Sequence, residues 1–171
     1  MPETTTKSFA ATPSRVVLRL PEPPTILHIL ASRVERDTVA GKLDKLAAGS
    51  RFALRSAGPG KWLALASDSE APGLMTELRE ALGDGASLLD QSDGRVLIEL
   101  SGSEAREALA KGTGVDLDPS VFPIGHSAVT AFGHVTVHLT YTRADCYELI
   151  VMRSYAETLW ETLTEAAREF G

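Results

Sequence analysis

Two histidines and the single cysteine are the side chains of this sequence best suited to bind a metal ion or to attack a substrate. His134 and His138 share one face of a predicted strand, but four residues at roughly 3.3 Å each separate them by about 13 Å, too far for one zinc ion. We therefore interpret both as solvated or half-buried polar residues. Cys146 begins another strand with no histidine base that the sequence identifies, so we interpret it as a small hydrophobic residue.

The nucleophile and nucleotide motifs of common enzymes fail at defined positions. Residues 125–129 depart from the Gly-x-Ser-x-Gly elbow at its fifth position. Residues 112–114 follow a predicted helix, and Leu117 stands where a dinucleotide motif requires its third glycine. The phosphate-loop pattern fails twice, because Arg55 replaces a glycine and Trp62 replaces a serine or threonine. The sequence predicts no catalytic, cofactor-binding or metal-binding residue.

Acidic side chains recur every four residues along the last predicted helix, at Glu157, Glu161, Glu165 and Glu169. Like charges at this spacing destabilise an exposed helix by about 0.2–0.5 kcal/mol per pair. A solvated face is the simpler interpretation of this acidic ridge, and a basic partner surface is the alternative.

Composition and charge limit the classes of protein to which the chain can belong. Its 171 residues are 43% apolar and 23% charged, as in an ordinary globular protein. The net charge of −6 argues against a nucleic-acid partner. There is no run of eighteen apolar residues to span a membrane and no signal pattern, so we expect a cytoplasmic protein without a membrane partner. Residues 1–14 are rich in Thr, Ser and Pro and predict a flexible tail.

Alternating and helical periodicities predict an α+β fold with mainly antiparallel sheets and helices packed on one side. Residues 15–171 are predicted as a single domain, with two halves meeting near residues 85–100 as the alternative organisation. His28 lies within one of the strands and is interpreted as structural. The predicted strands cover residues 15–20, 25–30, 51–54, 61–66, 86–89, 95–100, 126–142 with a break at Gly133, and 146–152. The predicted helices cover residues 33–48, 72–82, 104–111 and 155–170.

Capping residues set the expected starts of two helices. Ser103 is the predicted N-cap of the third helix, and Ser154 with Glu157 forms a predicted capping box at the last. The last helix is predicted to pack by an apolar stripe that includes Tyr155, Leu159, Leu163 and Phe170.

The most specific pattern of the sequence lies in residues 101–125. It reads Ser101-Gly102-x-x-Ala105-Arg106-x-x-Leu109-x-Lys111-Gly112, then Asp116-Leu117-x-Pro119-x-x-Phe122-Pro123-x-Gly125. This pattern resembles the gamma subunit of heterotetrameric sarcosine oxidases. Three further segments resemble the same family: Gly58-Pro59-x-x-Trp62-Leu63-x-Leu65, Asp90-x-Ser92-x-x-Arg95, and Arg153-Ser154-Tyr155 followed by Leu159-Trp160. The sequence departs from the commoner pattern at Ser103 and Thr113.

The resemblance implies a fold similar to aminomethyltransferase-type folate-binding domains and a non-catalytic, structural role. The implied complex oxidises sarcosine to glycine and passes the one-carbon unit to tetrahydrofolate or releases formaldehyde. FAD, FMN, NAD, tetrahydrofolate and zinc are then expected in the partner subunits, called alpha, beta and delta, and none in this chain. The alternative is a free-standing folate-binding protein of the aminomethyltransferase type.

The loop over residues 112–125 is the predicted partner interface, with Pro119, Phe122 and Pro123 as its main residues. The two prolines restrict the backbone, so docking the loop requires little further ordering. Two roles remain open for Phe122. It either projects as an interface residue or is buried in its own domain, where it would hold the loop in place.

Overall fold

The computed structural model describes residues 15–49 and 51–170, so the predicted tail over residues 1–14 lies outside the described residues. The strands are β1 (Val17–Arg19), β2 (Thr25–Ala31), β3 (Ala53–Ser56), β4 (Lys61–Ala66), β5 (Ala86–Asp90), β6 (Arg95–Ser101), β7 (Ser127–Phe132), β8 (Val135–Arg143) and β9 (Cys146–Met152). The α-helices are α1 (Arg36–Ala47), α2 (Leu74–Leu82), α3 (Ala105–Ala110) and α4 (Ala156–Ala167).

The strands form two antiparallel sheets. The first sheet has the order β1-β6-β9-β8-β7, and the second has the order β3-β4-β2-β5. The chain passes from the second sheet to the first through the turn over residues 91–94, where the Gln91 N–H donates to the Ile26 carbonyl at 2.8 Å. This confirms the predicted α+β class with mainly antiparallel strands.

Each sheet carries its helices on one face. Helices α3 and α4 bury Leu109, Leu159 and Leu163 against alternate residues of the first sheet. Helices α1 and α2 cover one face of the second sheet in the same way. Helix α2 has Leu74, Leu78 and Leu82 on one side, at intervals of four residues, and buries them in this second core. Successive side chains of a strand point to opposite faces, so each sheet has a second face that the helices do not cover.

Those second faces pack on each other. A small apolar cluster joins Ile26, Leu63 and Leu65 of the second sheet to Ile150 of the first. The molecule is therefore layered as helices, sheet, sheet, helices. The contact between the sheets also contains polar side chains, among them His138 and Arg55.

The ends of two helices differ from the predicted caps. α3 has Glu104 as its N-cap residue, and α4 has Tyr155, and neither makes a side-chain capping bond. A 3₁₀ turn over Arg153–Tyr155 precedes α4. The Arg153 N–H donates to the Gly94 carbonyl at 2.9 Å, and this hydrogen bond joins the 3₁₀ turn to the turn over residues 91–94. Ser154 is thus inside a turn fixed by tertiary contacts and does not form the predicted capping box. Tyr155 is 55% exposed and lies outside the buried stripe of α4.

Candidate functional site

The loop between α3 and β7 is fixed by its own backbone hydrogen bonds. The N–H groups of Val121 and Phe122 donate to the Asp118 carbonyl at 2.9 and 2.7 Å. The Asp118 carboxylate also accepts from the Ser120 N–H at 2.9 Å, and the Gly125 N–H donates to the Tyr141 carbonyl at 2.7 Å. The loop is therefore held against β8. A loop that is already ordered loses little further conformational entropy when it docks on a partner.

Phe122 is buried in its own domain. Its side chain is 5% exposed, belongs to the core beneath α3 and α4, and meets the His126 ring edge-on at 5.9 Å between centroids. Of the two roles left open for Phe122, the structure shows the one that holds the loop in place. Pro119 and Pro123 are exposed, so they remain predicted interface residues.

Val121 and Ile124 are the large apolar side chains that this loop exposes, each at 57%. Sequence reasoning missed them, because it treated the neighbours of Phe122 as polar residues or prolines. The available signal was the presence of these two large apolar residues among the polar residues and prolines of the loop. Exposed apolar pairs on a rigid loop are typical of protein interfaces.

The structure does not assemble the described residues His134, His138 and Cys146, which were considered for metal binding or nucleophilic attack, into a metal site. Cys146 is 1% exposed, which confirms the prediction of a small buried residue, and burial raises the pKa of its thiol. Within residues 15–49 and 51–170, no group of His, Cys, Asp and Glu side chains is arranged to hold a metal ion. His134 is exposed in the β7–β8 turn. His138 is only 3% exposed, so its interpretation as solvated or half-buried was wrong, because it lies on the face of β8 covered by the second sheet.

An apolar groove of about 500 Å³ runs between α4 and the segment after β1. Leu20, Pro21 and Pro23 form one wall, and Ala156 and Trp160 of α4 contribute to the groove. Leu20 is 62% exposed. Sequence reasoning used these prolines only to end a strand, but they also shape a concave apolar surface of the kind that partner chains cover.

A second cavity, of about 240 Å³, lies between the two sheets and is called here the inter-sheet cavity. His28 and Lys61 line it from the second sheet, and Arg95 and His138 line it from the first. The Nε2 atom of His138 lies 2.7 Å from the Ser56 carbonyl, which it reaches across the contact between the sheets. The cavity is therefore bordered by four basic side chains.

Burial and mutual repulsion act on these basic groups. Burial lowers the pKa of His28, and the positive charges of Arg95 and Lys61 lower it further. Burial also lowers the pKa of His138 and that of Arg95. Elsewhere between the sheets, Arg55 is paired with Glu148 at 3.0 Å, with both side chains less than one-fifth exposed.

Residues 38–169 match the family described as "Sarcosine oxidase, gamma subunit family". A sarcosine oxidase subunit gamma of Corynebacterium sp. (strain P-1) is 33% identical over 114 residues, which are 66% of this chain and 55% of that protein. The chain thus spans about half the length of the curated relatives that it matches.

Solved structures show the same fold. The heterotetrameric sarcosine oxidase of Corynebacterium sp. U-96 contains a chain that superposes with a TM-score of 0.78 at 26% identity, covering 93% of this chain and 87% of that one. Aminomethyltransferase T of Bartonella henselae superposes with a TM-score of 0.60 at 14% identity, covering 88% of this chain and 45% of that one, and shares the fold alone. Among the described residues no helix is long and apolar enough to cross a membrane.

Proposed function

The chain belongs to the family of sarcosine oxidase gamma subunits, and from that membership we propose that it is a non-catalytic, structural subunit of a heterotetrameric sarcosine oxidase. The complex would oxidise sarcosine to glycine and pass the one-carbon unit to tetrahydrofolate or release formaldehyde. The observation that carries this proposal is the superposition of 93% of the chain on a chain of a heterotetrameric sarcosine oxidase.

The surface of the chain supports a structural role. Val121 and Ile124 expose apolar surface on an ordered loop, and Leu20 exposes it beside the α4 groove. Such surfaces are costly for a protein that acts alone and are expected where another chain covers them. We place the partner subunits, named alpha, beta and delta in the family, on one or more of these surfaces.

We assign FAD, FMN, NAD, tetrahydrofolate and zinc to the partner subunits. In the sequence, the dinucleotide and phosphate-loop motifs fail at required positions, and the one thiol, Cys146, is buried with a raised pKa. We further propose that the complex works in the cytoplasm, since an unpaired cysteine suits a reducing compartment. The alternative of a free-standing folate-binding protein rests on likeness of fold, which does not confer activity.

Co-expression tests the proposal. The tagged full chain, expressed with the other subunits of its host, should co-purify with flavin-bearing chains, and the complex should form hydrogen peroxide in a sarcosine-dependent manner. The tagged chain by itself should be colourless and inactive. Flavin absorption that stays with the lone chain through gel filtration would contradict the assignment of flavins to the partners. Saturable binding of tetrahydrofolate to the lone chain would favour the alternative.

A further inference from the structure

We propose that the inter-sheet cavity is a binding site for a small organic carboxylate. The site belongs to this chain's own fold and does not depend on the proposed assembly. Its components are the basic side chains of Lys61, His28, Arg95 and His138 and the apolar walls between them.

The charge of the cavity is unbalanced. Among the described residues no acidic side chain lines it, and neither Lys61 nor Arg95 forms an ion pair with any of them. Arg95 donates from Nε to the neutral Gln91 amide oxygen at 2.5 Å, which orients the guanidinium but leaves its charge uncompensated. Placing positive groups together in a partly buried space raises the free energy of the folded chain unless an anion joins them.

The rest of the contact between the sheets provides an internal comparison. Arg55 lies in the same layer, and its guanidinium is paired with the Glu148 carboxylate at 3.0 Å. Arg143 is paired with Glu99 at 3.2 Å. Both of these arginines thus have a carboxylate partner, and that of Arg55 is itself largely buried. At the inter-sheet cavity the carboxylate is missing from the chain, and a bound carboxylate would supply it.

The exposure of the basic groups decreases from the surface inward. Lys61 is exposed, His28 and Arg95 are half-buried, and His138 is buried. His138 uses Nε2 to reach the Ser56 carbonyl, so Nε2 carries the hydrogen. Its Nδ1 is buried without a hydrogen-bond partner among the described residues. A nearby anion would stabilise the protonated ring, in which Nδ1 also carries a hydrogen.

The size and walls of the cavity define the ligand further. Its volume of about 240 Å³ equals that of about eight water molecules at about 30 Å³ each, which suits a small organic acid. The apolar residues that line it are Ala57, Leu63, Val129, Val137, Ile150 and Met152. Apolar walls with basic groups between them favour a carboxylate with a short hydrocarbon body over a fully hydrated inorganic anion.

Titration of the full chain, followed by NMR of the histidine rings, tests the site. Propionate should shift the His28 and His138 signals in a saturable manner and raise the pKa of both rings, and its affinity should increase as the pH falls. Propionamide, which has the same shape without the charge, should leave the signals unchanged. Equal shifts with propionamide, or no saturable shift with propionate, would overturn the proposal.

Two further arms complete the test. Lys61→Gln should weaken propionate binding roughly fivefold, since Lys61 is exposed and its ion pair is partly screened. The matched control Lys45→Gln removes an exposed lysine of α1 outside the cavity and should leave the affinity unchanged. Sulfate should bind more weakly than propionate. Equal or tighter binding of sulfate, or equal losses in the two lysine variants, would show general attraction of anions and refute a carboxylate site.

Discussion

The ring of Phe132 occupies the space that a side chain at Gly112 would need. A Cβ atom placed on Gly112 would lie 2.6 Å from Cζ of Phe132, closer than carbon atoms approach without displacement. The Gly112 carbonyl also accepts a hydrogen bond from the Gly133 N–H at 2.8 Å. The end of α3 is thus held directly against the β7–β8 turn, and the contact requires glycine for its size.

Gly112→Ala should therefore destabilise the folded chain by about 1–3 kcal/mol, because the ring of Phe132 is buried in the core and would have to shift. Urea denaturation of the lone chain measures the change. Gly114→Ala is the matched control, since a Cβ at Gly114 meets nothing within 4 Å. Equal midpoints for the two variants would mean that the ring moves aside without cost.

Leu163 is the second test of the core beneath α4. It is 1% exposed, and Leu163→Ala should lower the free energy of unfolding by about 2–5 kcal/mol through lost burial and the cavity left behind. Glu161→Ala on the exposed side of the same helix is the control and should change the midpoint little. An unchanged midpoint in Leu163→Ala would show that α4 is not packed as described.

We expect His138 to make the stability of the chain dependent on pH. Burial above all lowers its pKa below the ordinary value of 6.5, and the charges of Arg55 and Arg95 lower it further. The unfolded chain then takes up a proton near pH 6.5 that the folded chain takes up only at lower pH. This contribution to stability is complete above that pH and is lost as the pH falls from 6.5 towards the lowered pKa.

The measurement compares denaturation midpoints at about pH 7.5 and about pH 5.5, on either side of the ordinary histidine pKa. The wild-type chain should be less stable at the lower pH. His138→Gln keeps a side-chain N–H that can donate to the Ser56 carbonyl but cannot titrate, so it should reduce the difference. Since burial also lowers the pKa of His28, a smaller dependence of the same sign should remain. A pH dependence equal to wild type would exclude His138 as its source.

Variants in the loop over residues 112–125 can test folding and the proposed assembly separately. Phe122→Ala should destabilise the lone chain by about 3–5 kcal/mol, because its ring is buried in the core. The double variant Val121→Ser with Ile124→Ser should melt as the wild-type chain does but lose pull-down of the flavin-bearing subunits, because both side chains are 57% exposed.

The control for this experiment is Val34→Ser with Leu89→Ser, which removes apolar side chains that are 86% and 48% exposed outside the loop. It should retain both melting temperature and pull-down. Retained pull-down in the loop variant, with melting unchanged, would place the interface elsewhere on the chain.

Local patterns in the sequence were enough to predict most of the strands and helices, and they also indicated the family. Period-two alternation in β8 and β9 and the spacing of Leu74, Leu78 and Leu82 in α2 are local signals, because they follow from the geometry of a strand and a helix. The residue pattern over 101–125 indicated the family, because a sequence motif can be recognised without knowledge of the contacts between distant residues. The sequence also predicted Cys146 as a small hydrophobic residue, because no histidine base could be identified for it, and the residue is buried.

Which face of each strand or helix is covered depends on contacts between residues that are far apart in the sequence. Strand periodicity assigns His138 and Val137 to opposite faces of β8 but does not say that a second sheet covers the face of His138. The loop that contains Phe122 has no helical or strand periodicity, so the sequence does not define whether this side chain, which is buried, points into the core or into solvent. The inter-sheet cavity brings together His28 and His138, which are more than one hundred residues apart in the sequence. Such contacts depend on how the sheets pack, and packing is a property of the whole chain.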